Sequence, residues 1–269
     1  MQLLVKIGCV FCLVIASMAS LAASPSPRTF QQIIASEHLK VGVSVFSPWV
    51  MRAKDGQLIG SELDMARRLA SDMGIKPDIK VYEWKNLIPA LEKGEIDIIV
   101  SGMAVRPDRA LRINFSRPYA DSGVGMAANK ALTAGFKDLS AMKQSGVTIG
   151  AVSDTISADI AKRLFSNTTI KTFDDIQSLQ QALLNGELHA LLASNPQPKF
   201  LALRYSEKVD VPLAKPLISF KEAFGIAKGN NEFVNFLDSW VVARKADGWI
   251  ASTRRYWFES LNWREQVTQ

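Results

Sequence analysis

The chain of 269 residues holds only two histidines, His38 and His189, and two cysteines, Cys9 and Cys12. So small a supply excludes most metal centres and catalytic triads built on those residues. No metal site of that kind and no histidine triad is therefore expected, and the leading reading below needs no cofactor or catalytic residue. Clustered positive charge is missing as well. The 32 Lys and Arg outnumber the 26 Asp and Glu to give +6, yet no basic run exceeds two residues (Arg67-Arg68, Arg254-Arg255). Nucleic-acid arms and polybasic membrane patches need concentrated charge, so neither partner is expected. Beyond the first residues, no segment approaches the roughly 18 apolar residues that span a bilayer. What remains is 48% hydrophobic and 22% charged, the balance of a globular chain.

Residues 1–23 read as an export signal. Lys6 is their one charge, Ile7 to Ala16 is apolar, and Ser20-Leu21-Ala22 offers small residues for cleavage. Both cysteines fall inside this segment, and neither follows a convincing lipid-attachment motif. The exported chain would carry no disulfide, would depend on its core for stability, and is expected to be a soluble secreted or periplasmic protein and a monomer.

The mature chain alternates strands with amphipathic helices. Leu39 to Val43 is strand-like. Leu63, Ala66, Leu69, Ala70 and Met73 mark a helical stripe after Gly60, and Leu87 to Lys93 predicts a helix stopped by Gly94 before the strand Ile96 to Val100. Strand, helix, strand at this spacing implies parallel α/β units. The stretch Leu87–Ile96 also recurs 92 positions later as Leu179–Leu188, with Leu, Ala, Leu, Gly and Glu in register. Val41-Gly42 and Ile149-Gly150 open the two halves in the same way. Two similarly built lobes follow, and ligand sites favour the crevice between such units.

Further motifs are specific in combination. They are Ser47-Pro48-Trp49, Asp55 to Gly60 with Leu63-Asp64-Met65-Ala66, Trp84 to Leu91, Gly94 to Met103, Arg106-Pro107-Asp108-Arg109, Asn114 to Tyr119, and the ending Asp247-Gly248-Trp249 with Tyr256-Trp257-Phe258. In this order they resemble the type II periplasmic solute-binding proteins of amino-acid ABC transporters, family 3, over nearly the whole mature chain. The resemblance implies a two-lobe α/β clamp, each lobe a mostly parallel sheet flanked by helices. Lobe 1 would be residues 28–122 plus 222–269 and lobe 2 residues 123–221, with crossings near Asp121–Gly125 and Ser219–Phe224. It also implies capture of an amino acid or related small carboxylate, and delivery to an ABC permease.

Arg109 is the first candidate for the site. Pro107-Asp108 looks like a helix start, and a cation in a first helical turn opposes the helix dipole. A bound carboxylate would resolve that conflict, and in the family the arginine here clamps one. Ser101, Gly102 and Met103 follow a strand end, where parallel sheets present ligands; glycine there would let a ligand approach the backbone. The family places a hydroxyl two residues after that glycine, where this chain has Ala104. Phe46 and Trp84 match family positions that sandwich the ligand, and Trp49 beside them is equally a core residue. Ser153-Asp154-Thr155 looks like a helix cap, and the resemblance adds that Thr155 and Ile156 reach the carboxylate on closure, with Asp154 in place of a glycine.

The family's aspartate for the ligand's α-ammonium is replaced by Ser194. Either Glu222 or Asp154 serves instead, or the ligand is not an ordinary α-amino acid, because an unpaired buried ammonium is costly. Two other functions stay open at this level. One is a cyclohexadienyl or arogenate dehydratase-like enzyme on the same fold, with Glu83 or Glu222 as proton donor. The other is a periplasmic sensor or accessory protein.

Overall fold

The computed structural model describes residues 26–260 and 262–267, so the expected export signal lies outside the described residues. No described helix is long and apolar enough to cross a membrane.

Two sheets organise the chain. The first runs in the order Lys76–Val81, His38–Val43, Ile98–Ile99, Gly225–Ile226, Asn114–Phe115. His38–Val43 is parallel to both of its neighbours, because the helices Ser61–Asp72 and Leu87–Glu92 carry the chain back between these strands. The second sheet runs Val209–Asp210, Ala120–Asn129, Ala190–Ser194, Thr148–Val152, Thr169–Phe173, and Ile218–Glu222 also pairs with Ala120–Asn129. Here Thr148–Val152 is parallel to both neighbours, again through intervening helices.

The α/β two-lobe clamp stands, but both sheets are mixed rather than mostly parallel. Every strand paired with Ala120–Asn129 or with Gly225–Ile226 is antiparallel to it. The reason is topological. These strands lie where the chain passes between the sheets, and no crossover helix restores their direction. The passages Ala120–Asn129 and Ile218–Glu222 run side by side, in register from Ala120 opposite Glu222 to Val124 opposite Ile218.

The internal repeat is realised atom by atom. A Cβ on Gly42 would lie 2.3 Å from Ile96 and 3.3 Å from Leu87; one on Gly150 would lie 2.5 Å from both Leu188 and Leu179. Those leucines are the repeat counterparts of Leu87 and Ile96, so each glycine lets a helix and its following strand close onto the opening strand.

The helix Ser61–Asp72 buries Leu63, Ala66, Leu69 and Ala70, as its stripe predicts. Leu63, Ala66 and Leu69 share the first core with Phe224, Phe233, Leu237 and Trp240, so the C-terminal helix Asn231–Ala246 packs on the first sheet. Gly60, at its N-terminus, provides no side-chain cap. Main-chain carbonyls replace it: the Ser61 N–H donates to Pro48 O at 3.1 Å and the Glu62 N–H to Trp49 O at 3.0 Å.

Candidate functional site

A cavity of about 420 Å³ opens between the two sheets. The first-sheet side contributes Ser44, Phe46, Trp84, Ser101, Gly102 and Arg109; the second contributes Val152, Thr155, Ile156, Ser194 and Phe220.

Arg109 lies in the short helix Pro107–Ala110 and is 6% exposed. Asp108 does not pair with it; the Arg106 guanidinium takes Asp108 through two 2.9 Å bonds. Arg109 instead donates Nη1 to Ala104 O at 3.2 Å and Nη2 to Asp154 O at 2.7 Å. A guanidinium has five N–H donors, and no carboxylate among the described residues pairs with this one. Burial, followed by the repulsion of Arg106, lowers its pKa to about 10, so it stays charged at neutral pH. A desolvated, unpaired cation lining a cavity matches an anionic ligand.

Asp154 is the opposing contact. Its φ of +56° is a left-handed conformation that short polar residues tolerate better than most, which gives a physical reason why glycine suits this position. The same carbonyl accepts from Trp84 Nε1 at 3.1 Å. The Arg109 guanidinium carbon sits 5.4 Å from the centroid of the Trp84 ring, within cation–π range. Arg106 pairs with Asp159, and the Gln197 amide donates to Ser47 O. These contacts join the two sides of the cavity.

Thr155 is the cap of the helix Ile156–Leu164. Its hydroxyl accepts from the Ala158 N–H at 3.3 Å and donates to Val152 O at 2.6 Å. Thr155→Ala is therefore expected to cost about 1 kcal/mol, read as a lower denaturation midpoint, and Thr155→Ser should restore most of it. The Ser101 hydroxyl accepts from the Ser44 N–H at 3.0 Å, and so ties the end of one strand to the next. Phe46 packs on Trp49 with ring centroids 4.8 Å apart. Trp49 itself is 1% exposed, a core residue.

Three expectations need refining. The Met103 side chain does not line this cavity: it is 1% exposed, packed with Leu87, Leu91 and Ile113, and touches a separate hollow of about 290 Å³ beside Arg106 and Asp108, so the part the resemblance implies for it is one of main-chain groups. It follows a left-handed glycine, Gly102 at φ +60°, beyond which its side chain joins the hydrophobic core. Gly102, which lines the cavity, has a second reason to be glycine. A Cβ there would lie 2.5 Å from Trp49 Nε1, so packing against the indole already demands glycine. Finally, neither proposed ammonium partner faces the cavity. Asp154 lines only the second hollow. Glu222 is 0% exposed and turned to Trp49 Nε1 at 3.2 Å and Arg254 Nη1 at 3.2 Å.

The acids that do line the cavity are Glu83, Asp174 and Asp175. The Glu83 and Asp174 side chains are 64% and 78% exposed and share Lys85. Asp175 caps the helix Ile176–Leu184. Asp174, Asp175 and Phe220 escaped sequence reasoning because a cap followed by an apolar helix, and an apolar strand residue, carry no functional signature. Their place at the cavity emerges only where the two sheets meet.

Burial pushes the Glu222 carboxyl up to about 8, Arg254 opposing and Glu62 reinforcing the shift. Between pH 4.5 and 8 the folded chain thus holds a proton that the unfolded chain releases. Stability contributed here is greatest at the acid end and declines as pH rises towards 8. Melting temperature should fall over that interval, and Glu222→Gln should flatten the fall.

Two α/β units closing on a crevice that holds an unpaired guanidinium define a ligand-binding clamp. The chain belongs to the bacterial extracellular solute-binding proteins, family 3, whose sequence profile matches residues 39–260. It is 24% identical over 224 residues to the L-cystine-binding protein TcyJ of Escherichia coli, covering 82% of each chain. It is also 24% identical over 249 residues to the cyclohexadienyl dehydratase of Pseudomonas aeruginosa, covering 92% of each. Among solved structures, one described as a binding component of an ABC transporter from Wolinella succinogenes, complexed with lysine, is 31% identical with a TM-score of 0.80; the likeness covers 85% of this chain and 99% of that one.

Proposed function

We propose that this chain captures an amino acid or closely related small carboxylate between its lobes in the periplasm, delivers it to an ABC permease, and performs no chemistry on it. The observation that carries this reading is Arg109, buried beside the cavity with two main-chain partners and no acid of its own. Arg109, Ser101, Gly102, Trp84 and Phe46 would form one wall, and Thr155, Ile156 and Ser194 the other. The lobes would comprise residues 28–122 plus 222–269, and residues 123–221. Ligand favours the closed arrangement only through contacts made from both sides, and the Asp154 carbonyl held by Arg109 and Trp84 is such a junction. The relatives named for cystine binding and solved with lysine support an amino acid as the ligand class.

Catalysis by a dehydratase would need a carboxylic acid within the cavity to protonate a departing hydroxyl. Glu222 keeps a proton but faces Trp49 and Arg254, and the acids lining the cavity lie at its exposed rim. That arrangement favours binding.

The test is a thermal-shift screen of the mature protein against amino acids, their deaminated analogues and their amides. A true ligand at a hundredfold excess over its dissociation constant adds about 2.7 kcal/mol of apparent stability. Loss of the carboxylate should abolish the shift. Loss of the α-ammonium should cost less, since Ser194 supplies no countercharge. Equal shifts from acids and amides, or water and carbon dioxide released from a cyclohexadienyl acid, would overturn the reading.

A further inference from the structure

A cluster of buried ionisable groups lies where the chain passes between the lobes. Glu222 ends the returning strand, and its main-chain carbonyl accepts from the Tyr119 N–H at 3.0 Å, the residue that precedes the outgoing strand. Glu62, 1% exposed, enters from the helix Ser61–Asp72 and accepts from the Tyr119 hydroxyl at 2.8 Å. Arg254 enters from the helix Trp249–Arg255, bonds Glu222, and donates Nη2 to Asp121 O at 3.2 Å. Trp49 Nε1 covers the other Glu222 oxygen. The ionisable groups facing Glu222 are thus Glu62, Tyr119 and Arg254. The neighbouring Lys221 and Asp121 pair with each other at the surface.

One guanidinium, bonded to Glu222, stands near two buried carboxyls, which leaves an excess buried negative charge if both ionise. The desolvation cost of a lone buried charge is several kcal/mol, and one retained proton removes it. The cluster also reaches the cavity floor: Trp49, which donates to Glu222, packs its indole under Gly102.

We infer that the Glu62–Glu222 pair holds one proton at the hinge, and that this proton is bound more tightly when the lobes are closed than when they are open. Opening twists the two paired strands Ala120–Asn129 and Ile218–Glu222 and admits water to the carboxyls beside them, so the proton leaves. Raising pH through the neutral range therefore favours the open form, and ligand capture takes up a proton. The inference rests on lobe closure, not on which ligand is bound.

The experiment uses no ligand. The exported chain has no cysteine of its own, so Lys93→Cys and Lys162→Cys, both exposed and on opposite lobes, accept a dye pair. Energy transfer should report a closed fraction that drops several-fold between pH 6 and pH 8.5, with one proton setting a ceiling of tenfold per pH unit. Glu222→Gln and Glu62→Gln, each checked by circular dichroism for folding, should remove that dependence. Infrared spectra of the unlabelled wild type near pH 7 should show a protonated carboxyl band that either variant loses. A pH-independent closed fraction, an unchanged dependence in both variants, or the absence of that band would each overturn the proposal. A ligand screen that fails would leave these readouts unaffected, so the two readings fall separately.

Discussion

Arg109→Ala is expected to weaken capture of the carboxylate ligand by about thirtyfold to several thousandfold. The figure follows from the roughly 2–5 kcal/mol lost when one member of a buried, hydrogen-bonded charge pair is removed and its partner stays desolvated. The geometry sets the direction. The guanidinium already meets two carbonyls, one from each side of the cavity, and its remaining donors have no acid among the described residues. Arg109→Lys should fall between wild type and alanine, because an ammonium keeps the charge without the planar fork that grips two oxygens. Stability should not follow affinity. A buried cation without a carboxylate partner is costly to fold around, so the alanine variant should melt at or above the wild-type temperature when no ligand is present. Calorimetric titration with the best ligand from the screen, run beside unliganded melting curves, measures both quantities. Unchanged affinity would remove Arg109 from the site.

Gly60→Ala is expected to lower stability by about 3 kcal/mol or more. Strain and a lost cap combine there, each worth about 1–3 and 0.5–2 kcal/mol respectively. Gly60 has φ +137°, and a Cβ would stand 2.2 Å from Trp49 O and 3.0 Å from Pro48 O. Those carbonyls are the acceptors that cap the helix Ser61–Asp72. Neither is a flexible side-chain end, so the loop carrying Trp49 must move. Its movement would disturb Glu62, Gly102 and the cavity floor together. Chemical denaturation should therefore show the loss, and ligand affinity should decline in the same variant. Gly56→Ala is the control: that glycine also has positive φ (+83°), but nothing lies within 4 Å of an added Cβ. It should cost only the strain of a left-handed alanine.

Much of the architecture was legible because its causes are local. The helix Ile156–Leu164 follows from its cap at Thr155 and an apolar stripe, and the helix Leu87–Glu92 from its stop before Gly94. The repeat between Leu87–Ile96 and Leu179–Leu188 announced two alike units, since the glycines Gly42 and Gly150 need the same neighbours. Of the candidate site residues, Arg109 was legible from its place just after the helix start Pro107-Asp108, where a cation opposes the helix dipole.

What was not legible depended on direction and on partners far along the chain. Sequence cannot say that Glu222 turns to Arg254 and Trp49, away from the cavity, because alternate residues of a strand face opposite ways and register decides which way each one faces. It cannot foresee that Met103 enters the core just after a left-handed glycine. Nor can it foresee that Asp174 and Asp175, ordinary around a helix start, arrive at the rim opposite Glu83.

The sequence alone determined the alternation of strands and helices, the doubling of the unit, and the absence of cysteine from every position after residue 12, since propensity, capping and composition act within a few residues. Tertiary structure alone decided which buried charges are paired and which wait. Arg109 and Glu222 are each one charged residue in a mixed stretch. Only the packing of two sheets leaves the first beside a cavity and seals the second among Trp49, Glu62 and Arg254, because desolvation depends on what surrounds a group in space.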